Sequence, residues 1–324
     1  MLTYSLNQNT ITKNKNRIFF VLKVFIAVGL LYYLVSSIEY NEIIKAIENA
    51  NALLIATAFS LTFVNIYLQF LKWELTCKTV LSESGKTKIL TSLLYGLSAG
   101  LITPARIGEY FGRAIAFKDK PLVQVTAATL TDKFFPLMIV AFLGSMFSIL
   151  FLFFYYRISV YLILALFIIL FTFFYFLFIV IRNEKFWDSV FFIKLKSSKR
   201  FSKLFLQLES MKKLDSIFFT QMSVLSILFY VCFLLQFALL VSAFSHNSEI
   251  INYLWAGNLI MFVKTIIPPI TLGELGIREG ASVFFLGKFG ELSSVAFNAS
   301  IFLFLINIVF PALIGLILFL KKND

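Results

Sequence analysis

Charge is what this sequence has least of for its size: only 14% of its 324 residues are Asp, Glu, Lys or Arg, against about 25% in a soluble domain. With 60% hydrophobic residues and a mean hydropathy of +0.89, a water-soluble globular fold is excluded. Histidine is reduced to one residue, His246, which excludes a multi-histidine metal centre or a two-histidine relay. Its setting, Ser245-His246-Asn247-Ser248, reads as a polar connector. The two cysteines, Cys77 and Cys232, form no CxxC pair and lie in or beside apolar runs, so a disulfide framework is not expected. No GxxxxGK[ST] loop is present, which excludes the usual phosphate cradle of ATP-driven machines. The first sixteen residues are polar and no small-residue cleavage site follows the first apolar run, so no cleavable signal peptide is expected.

What the sequence has in abundance is apolar length. The 41 Phe and an aromatic share of 18% suit lipid-facing helices, and the chain reads as one membrane domain over residues 1–324. Six runs are long enough to cross a hydrocarbon layer at about 1.5 Å per residue. They are Ile18–Ile38, Asn51–Leu71, Phe134–Tyr156, Ile158–Ile181, Ile217–Phe244 and Ser294–Leu320. The net charge of +12 marks membrane edges and points to anionic lipid headgroups, not nucleic acid, as neighbours. Lys13, Lys15 and Arg17 precede the first run, Lys72, Lys78, Lys86 and Lys88 follow the second, and Lys321-Lys322 close the last. The positive-inside rule then places both termini in the cytoplasm. A basic stretch at about 182–215 reads as the largest cytoplasmic loop. Within it Phe201, Leu204, Phe205, Leu208 and Met211 recur at helical spacing, as in a helix lying on the inner leaflet.

Two shorter apolar stretches break that alternation. One, in a hairpin at about 89–120, stops at Pro104, and the other, at about 250–290, stops at Pro268-Pro269. Parity requires each to enter and leave on one side, the first from the cytoplasm and the second from outside. Hydrophobic segments interrupted by Gly and Pro at corresponding places in two halves are the sequence sign of a transporter site built on inverted repeats. The breaks read Pro104-Ala-Arg106-Ile-Gly108-Glu109-Tyr-Phe-Gly112-Arg113 and Pro269-Ile-Thr-Leu-Gly273-Glu274-Leu-Gly276-Ile-Arg278-Glu279. Both contain P-x3-G-E-x3-R. Glu and Arg four apart share one helix face, and a guanidinium near a helix N-terminus suits a phosphate oxygen.

The candidate substrate-binding residues are therefore Arg106, Glu109, Arg113, Arg278, Glu279 and Glu274, with Pro104, Gly108, Pro268, Pro269, Gly273 and Gly276 shaping the breaks. The simpler alternative is that each Glu neutralises its own Arg, because charge at the bilayer centre costs about 2.5–3.5 kcal/mol or more. Asp132-Lys133 read as an interfacial ion pair just before the third span, or as lining of the first hairpin's cavity. Asn65, Gln69, Gln236, Asn298 and Asn307 lie within spans, where hydrogen bonding between helices is the first role they suggest and a polar lining the second. Gly96/Gly100 and Gly108/Gly112 have the spacing that permits close helix contact. Neither a metal nor an organic cofactor is expected.

These stretches, above all Gly273-Glu274-Leu275-Gly276-Ile277-Arg278-Glu279, resemble the transmembrane flippase domain of lysylphosphatidylglycerol synthases and the stand-alone flippase-like proteins related to them. Two positions depart from that family's usual pattern: Ala105 stands where glycine follows the first proline, and Glu274 replaces the second glycine of a Gly-Gly pair. Glu274 is accordingly a weaker candidate than Arg278 and Glu279. The resemblance implies an all-α integral protein of a bacterial cytoplasmic membrane, with six spans and two opposed broken-helix hairpins in a pseudo-inverted repeat. It implies movement of a phosphate-bearing lipid between leaflets, with membrane lipids as partners and a homo-oligomer or a separate lipid-modifying enzyme as further ones. No soluble aminoacyl-transferase domain follows the last span in the sequence, so no synthase chemistry is expected. Two alternatives stay open: an integral membrane enzyme using Glu109 or Glu279 as acid or base, and an assembly scaffold that transports nothing.

Overall fold

The computed structural model describes residues 40–103, 106–182, 214–267 and 276–321, and everything described is helix or short connection. In chain order the helices are α1 (Tyr40–Glu48), α2 (Ala52–Thr76), α3 (Lys86–Leu101), α4 (Gly108–Ile115), α5 (Leu122–Tyr156) and α6 (Val160–Arg182). There follow α7 (Ser216–Ser245), α8 (Ile250–Ile266), α9 (Ile277–Lys288), α10 (Ser293–Phe304) and α11 (Phe310–Lys321). A π-helical turn, Cys77–Leu81, prolongs α2, and a second, Leu305–Val309, joins α10 to α11 into one rod. Five of these rods are long and apolar enough to cross a membrane. The expected first span, Ile18–Ile38, and the interfacial helix within the basic loop lie outside the described residues.

The helix starts follow local chemistry. Asn51 caps α2 by accepting from the backbone N–H groups of Leu53 and Leu54 at 3.1 and 3.3 Å, and Asp215 caps α7 through Phe218 N–H at 2.8 Å. Such caps satisfy donors that a first turn leaves unpaired. One boundary differs from the sequence reading by a wide margin. The third span begins at Leu122, not Phe134, and α5 runs 35 residues without a break. Asp132 and Lys133 therefore lie within α5 and not before it, with Pro136 one turn beyond them. Proline has no N–H to return to the carbonyl four residues back, so the backbone oxygen of Asp132 is left without its helical partner.

The two halves of the chain repeat each other. α2, the α3–α4 hairpin and α5 correspond to α7, the α8–α9 hairpin and the α10–α11 rod. The packing obeys the exchange: α2 lies along α7, α3 lies along α11, and α8 lies along α5. Direction is fixed by contacts. Asn51 N–H donates to Ala243 O at 2.9 Å, Gln236 reaches Ala58 O at 3.0 Å, and Thr76 Oγ1 meets Met222 Sδ at 3.9 Å. The start of α2 thus sits beside the end of α7, and the equivalent helices run in opposite directions. The repeat is inverted, as the two proline breaks suggested.

Each crossed pairing closes on one glycine. A Cβ on Gly144 of α5 would come 2.4 Å from the Phe262 ring of α8, and one on Gly315 of α11 would come 2.2 Å from Leu94 O of α3. Backbones approach most closely where the residue is smallest. Outside this bundle α6 packs on α5 and presents Tyr161, Ile168 and Tyr175 outward, a surface suited to lipid tails.

Candidate functional site

The first hairpin folds because two glycine pairs face each other across it. A Cβ at Gly108 would lie 2.2 Å from Ala99 O and one at Gly112 would lie 2.4 Å from Tyr95 O, so the backbones of α3 and α4 are in direct contact. Gly96 and Gly100 leave the space that the side chains of Arg113, Glu109 and Arg106 fill. Thr103 Oγ1 accepts from Gly108 N–H at 2.7 Å and closes the turn, while Arg106 adopts a left-handed backbone with φ of 53°. A non-glycine residue there is strained and is held only by its surroundings.

At this turn charge collects from three helices. Arg113 Nη2 donates to Glu109 Oε1 at 2.8 Å, and its Nη1 donates to Asp132 Oδ2 at 2.9 Å. Lys72, at the far end of α2, approaches Asp132 Oδ1 at 3.5 Å. The other oxygen of Glu109 is shared, with Lys133 Nζ at 2.7 Å and Arg106 Nη2 at 3.4 Å. Four cations therefore surround two carboxylates. The Arg113 guanidinium carbon lies over the Trp73 ring, 4.2 Å from its centroid, and Trp73 Nε1 donates to Ser92 Oγ, which donates to Arg113 O at 2.8 Å. Lys72, Glu109, Arg113 and Asp132 are buried. Lys133 and Arg106 keep 35% and 21% of their side-chain surface open, so the open rim of the cluster is cationic. The Nε atoms of Arg106 and Arg113 are buried without a hydrogen-bond partner among the described residues.

The second hairpin is built differently from the same motif. α9 begins only at Ile277, so Arg278 stands in its first turn and the carboxylate it meets is its neighbour Glu279. Glu279 Oε2 also accepts from Gly276 N–H at 2.6 Å, the return half of a capping box. Gly276 has φ of 92°, a conformation that favours glycine. Arg278 Nε donates to Ser300 Oγ at 3.0 Å, and the guanidinium lies over Phe304 at 5.1 Å. The expected pairing of Glu and Arg four apart holds for Glu109 and Arg113; its counterpart in the second break involves Glu274, which lies outside the described residues. Glu274, Gly273, Pro104, Pro268 and Pro269 lie outside the described residues. Asp132 and Lys133 do not pair with each other. Each instead joins the first cluster.

The two sites occupy opposite ends of the bundle. Arg113 neighbours Lys72, in the last third of α2, whereas Arg278 reaches Ser300, two residues beyond Asn298. Asn298 Nδ2 donates to Ile43 O at 3.1 Å, before α2 begins. Opposed hairpins in an inverted repeat, each carrying a buried arginine, are what the sequence led one to expect; the aromatic ring beneath each guanidinium is added by the structure. The family model for the lysylphosphatidylglycerol synthase transmembrane region matches residues 20–315. The chain belongs to that family. No curated protein and no solved structure matches it significantly. Membership establishes a multi-pass membrane protein linked to lipid handling.

Lys72 and Trp73 were missed in the sequence, where Lys72 read as an edge charge. The signal was available: Asn65, Gln69, Lys72 and Thr76 recur at helical spacing and mark one polar face of α2. For Asp132 the signal was Pro136, four residues on in an apolar helix.

Proposed function

We propose that this family member moves a phosphate-bearing lipid between leaflets, the headgroup passing through the bundle while the acyl tails stay in the bilayer. The observation that carries the reading is the charge imbalance at the first hairpin: Lys72, Arg106, Arg113 and Lys133 against Glu109 and Asp132. Uncompensated charge at membrane depth is costly, and an anionic group seated between Arg106 and Lys133 would offset it. Guanidinium groups offer a phosphate two parallel donors. Glu109 Oε2, which now bridges those two cations, occupies the place of a headgroup oxygen. Among the described residues, Glu109 and Glu279 are fully engaged, Glu109 by cations and Glu279 by Arg278, Gly276 N–H and Ser300. A carboxylate so held is a poor general base, which favours transport over chemistry.

The basic residues Lys78, Lys86, Lys88, Lys118 and Lys120 gather at the end of α2 and the base of the first hairpin, and Glu42, Glu48, Glu249 and Glu291 at the other end. By the positive-inside rule the first hairpin opens to the cytoplasm of a bacterial cell. The partners this implies are anionic membrane lipids, with a second copy or a lipid-modifying enzyme supplying or accepting the cargo.

The test is reconstitution in phosphatidylethanolamine vesicles holding a trace of phosphatidylglycerol with a fluorescent acyl chain, followed by bleaching of the outer leaflet with dithionite. Wild-type protein should let bleaching proceed beyond the outer-leaflet share. Arg106→Gln and Lys133→Gln, at partly open positions, should slow it about tenfold or more, each removing a charge-assisted hydrogen bond. Vesicles that bleach no faster with the protein than without it would end this reading.

A further inference from the structure

Between the two arginine sites lies a group of amides. Gln236 of α7 is fully buried. Its Nε2 donates to Ala58 O and Thr62 Oγ1 at 3.0 and 3.1 Å, and its Oε1 accepts from Asn65 Nδ2 at 3.4 Å and Asn307 Nδ2 at 3.0 Å. Gln69 Nε2 donates to Asn65 Oδ1 at 2.8 Å. The group therefore joins α2, α7 and the π-helical turn between α10 and α11, near the middle of all three rods. Two helix registers tie it to the charged sites. Asn65, Gln69 and Lys72 share one face of α2, so the amides stand about 10 Å along the axis from the Lys72–Asp132–Arg113 cluster. Ser300 and Asn307 are likewise seven residues apart, two turns or about 10 Å from Arg278's partner to the amides.

Two observations mark this group as more than an inter-helix tie. Asn307 Oδ1 is buried with no donor among the described residues, and it lies on a π-helical turn, a feature that recurs at functional sites. Gln69, in the centre of the buried face of α2, is nevertheless only partly buried. We infer that the amides of Asn65, Gln69, Gln236 and Asn307 form an uncharged subsite at mid-crossing, which takes the hydroxyl and phosphate oxygens of a lipid headgroup as it passes between the two arginine sites. This inference rests on the transport reading above and gives the headgroup a route. The physical case is one of graded affinity. A conduit must bind well enough to be entered and weakly enough to be left. A charge at the centre would hold the phosphate, and an apolar centre would strip it of hydrogen bonds at a cost of several kcal/mol. Neutral amides replace water's hydrogen bonds and do neither.

The experiment uses the same vesicles and the same fluorescent phosphatidylglycerol. Gln69→Leu and Asn307→Leu should each slow leaflet exchange about tenfold or more, the change in a barrier that one lost hydrogen bond produces. Binding of that lipid to protein in detergent, read by thermal shift, should weaken by no more than about threefold, far less than exchange, because the arginine sites are untouched. Gln69→Asn and Asn307→Ser, which keep a polar atom, should exchange within about threefold of wild type. Unchanged exchange in the leucine variants overturns the inference, and so does equal loss in the polar ones, which would make the amides packing elements. A wild type that exchanges no lipid removes the transport reading itself and is thereby distinguished from failure of the amide route. Should the leucine variants not fold, Gln69→Cys and Asn307→Cys supply the readout. A water-soluble thiol reagent should modify them above the background of buried Cys77 and Cys232, and added lipid should protect them. Cysteines inert to the reagent would equally overturn the route.

Discussion

The two hairpins share a motif and an inverted setting, yet they hold their arginines by opposite means. Arg113 sits at the end of α4 in a network drawn from three helices, with Glu109 and Asp132 on one side and Lys72, Lys133 and Arg106 competing for the same carboxylates. Arg278 sits in the first turn of α9 with Glu279, Ser300 and the Phe304 ring. The first site is redundant and positive. The second is a single pair without surplus charge among the described residues. The repeat therefore places an arginine at equivalent positions and neutralises it differently in each half, by a network with surplus positive charge in one and by a neighbouring carboxylate in the other.

The sharpest way to break this comparison is to remove each arginine and measure unfolding in detergent. Arg278→Ala leaves Glu279 as an uncompensated buried charge and should cost about 3–5 kcal/mol, most of it recovered in Arg278→Ala/Glu279→Ala. Arg113→Ala leaves Asp132 with Lys72 and Glu109 with Lys133 and Arg106, so it should cost less, about 1–2 kcal/mol. An equal loss at both positions would erase the distinction between a network and a pair.

The crossed packing offers a second, smaller contrast. Gly315→Ala drives a methyl group into the backbone oxygen and carbon of Leu94, whereas Gly144→Ala meets the ring and Cβ of Phe262. Overpacking costs about 1–3 kcal/mol, and Gly315→Ala should lie at the upper end, since a backbone cannot rotate away. An equal or larger loss for Gly144→Ala would erase this contrast between the crossings.

The smallest effect belongs to the base of the first hairpin. Lys88 Nζ lies 2.7 Å from both Glu83 and Asp119 and ties α3 to the connection before α5. Its hydrogen bonds hold both carboxyls below their ordinary range. A carboxyl with a lowered folded-state pKa contributes stability that is present above its unfolded value and is lost as pH falls through the folded one. Acidification should thus loosen this tie in the wild type. Lys88→Ala should remove that part of the pH dependence with little effect on stability at neutral pH, as expected of exposed ion pairs. A thermal-shift series across acid pH on both proteins reads the difference.

Much of the candidate site was legible before any coordinates. Arg106, Glu109, Arg113, Arg278 and Glu279 stood at proline breaks in apolar surroundings, and the burial of all but Arg106 fits the rarity of unpaired charge in such segments. The glycine pairs Gly96/Gly100 and Gly108/Gly112 announced the close contact of α3 and α4. Lys72, Asp132 and Lys133 were legible only as edge charges, because hydropathy alone cannot tell a helix that ends from one that continues carrying polar residues on its protected face. α5 shows this directly: its first three turns carry Gln124, Thr126, Thr129, Thr131 and Asp132, pack against α4, and continue the helix that the apolar run alone would begin at Phe134.

The sequence by itself settled the solvent, the helical class, the places where helices break and the arginines that stand there. Each of these depends on residues close together in the chain, through helical period, proline geometry and the cost of charge in hydrocarbon. Which carboxylate neutralises which cation, and which amides meet at the centre, were decided by tertiary structure alone. Asn65 and Gln236 are separated by 171 positions and touch because α2 and α7 run antiparallel. No local pattern encodes that register, since it is set by the faces that the whole bundle leaves for each helix to bury.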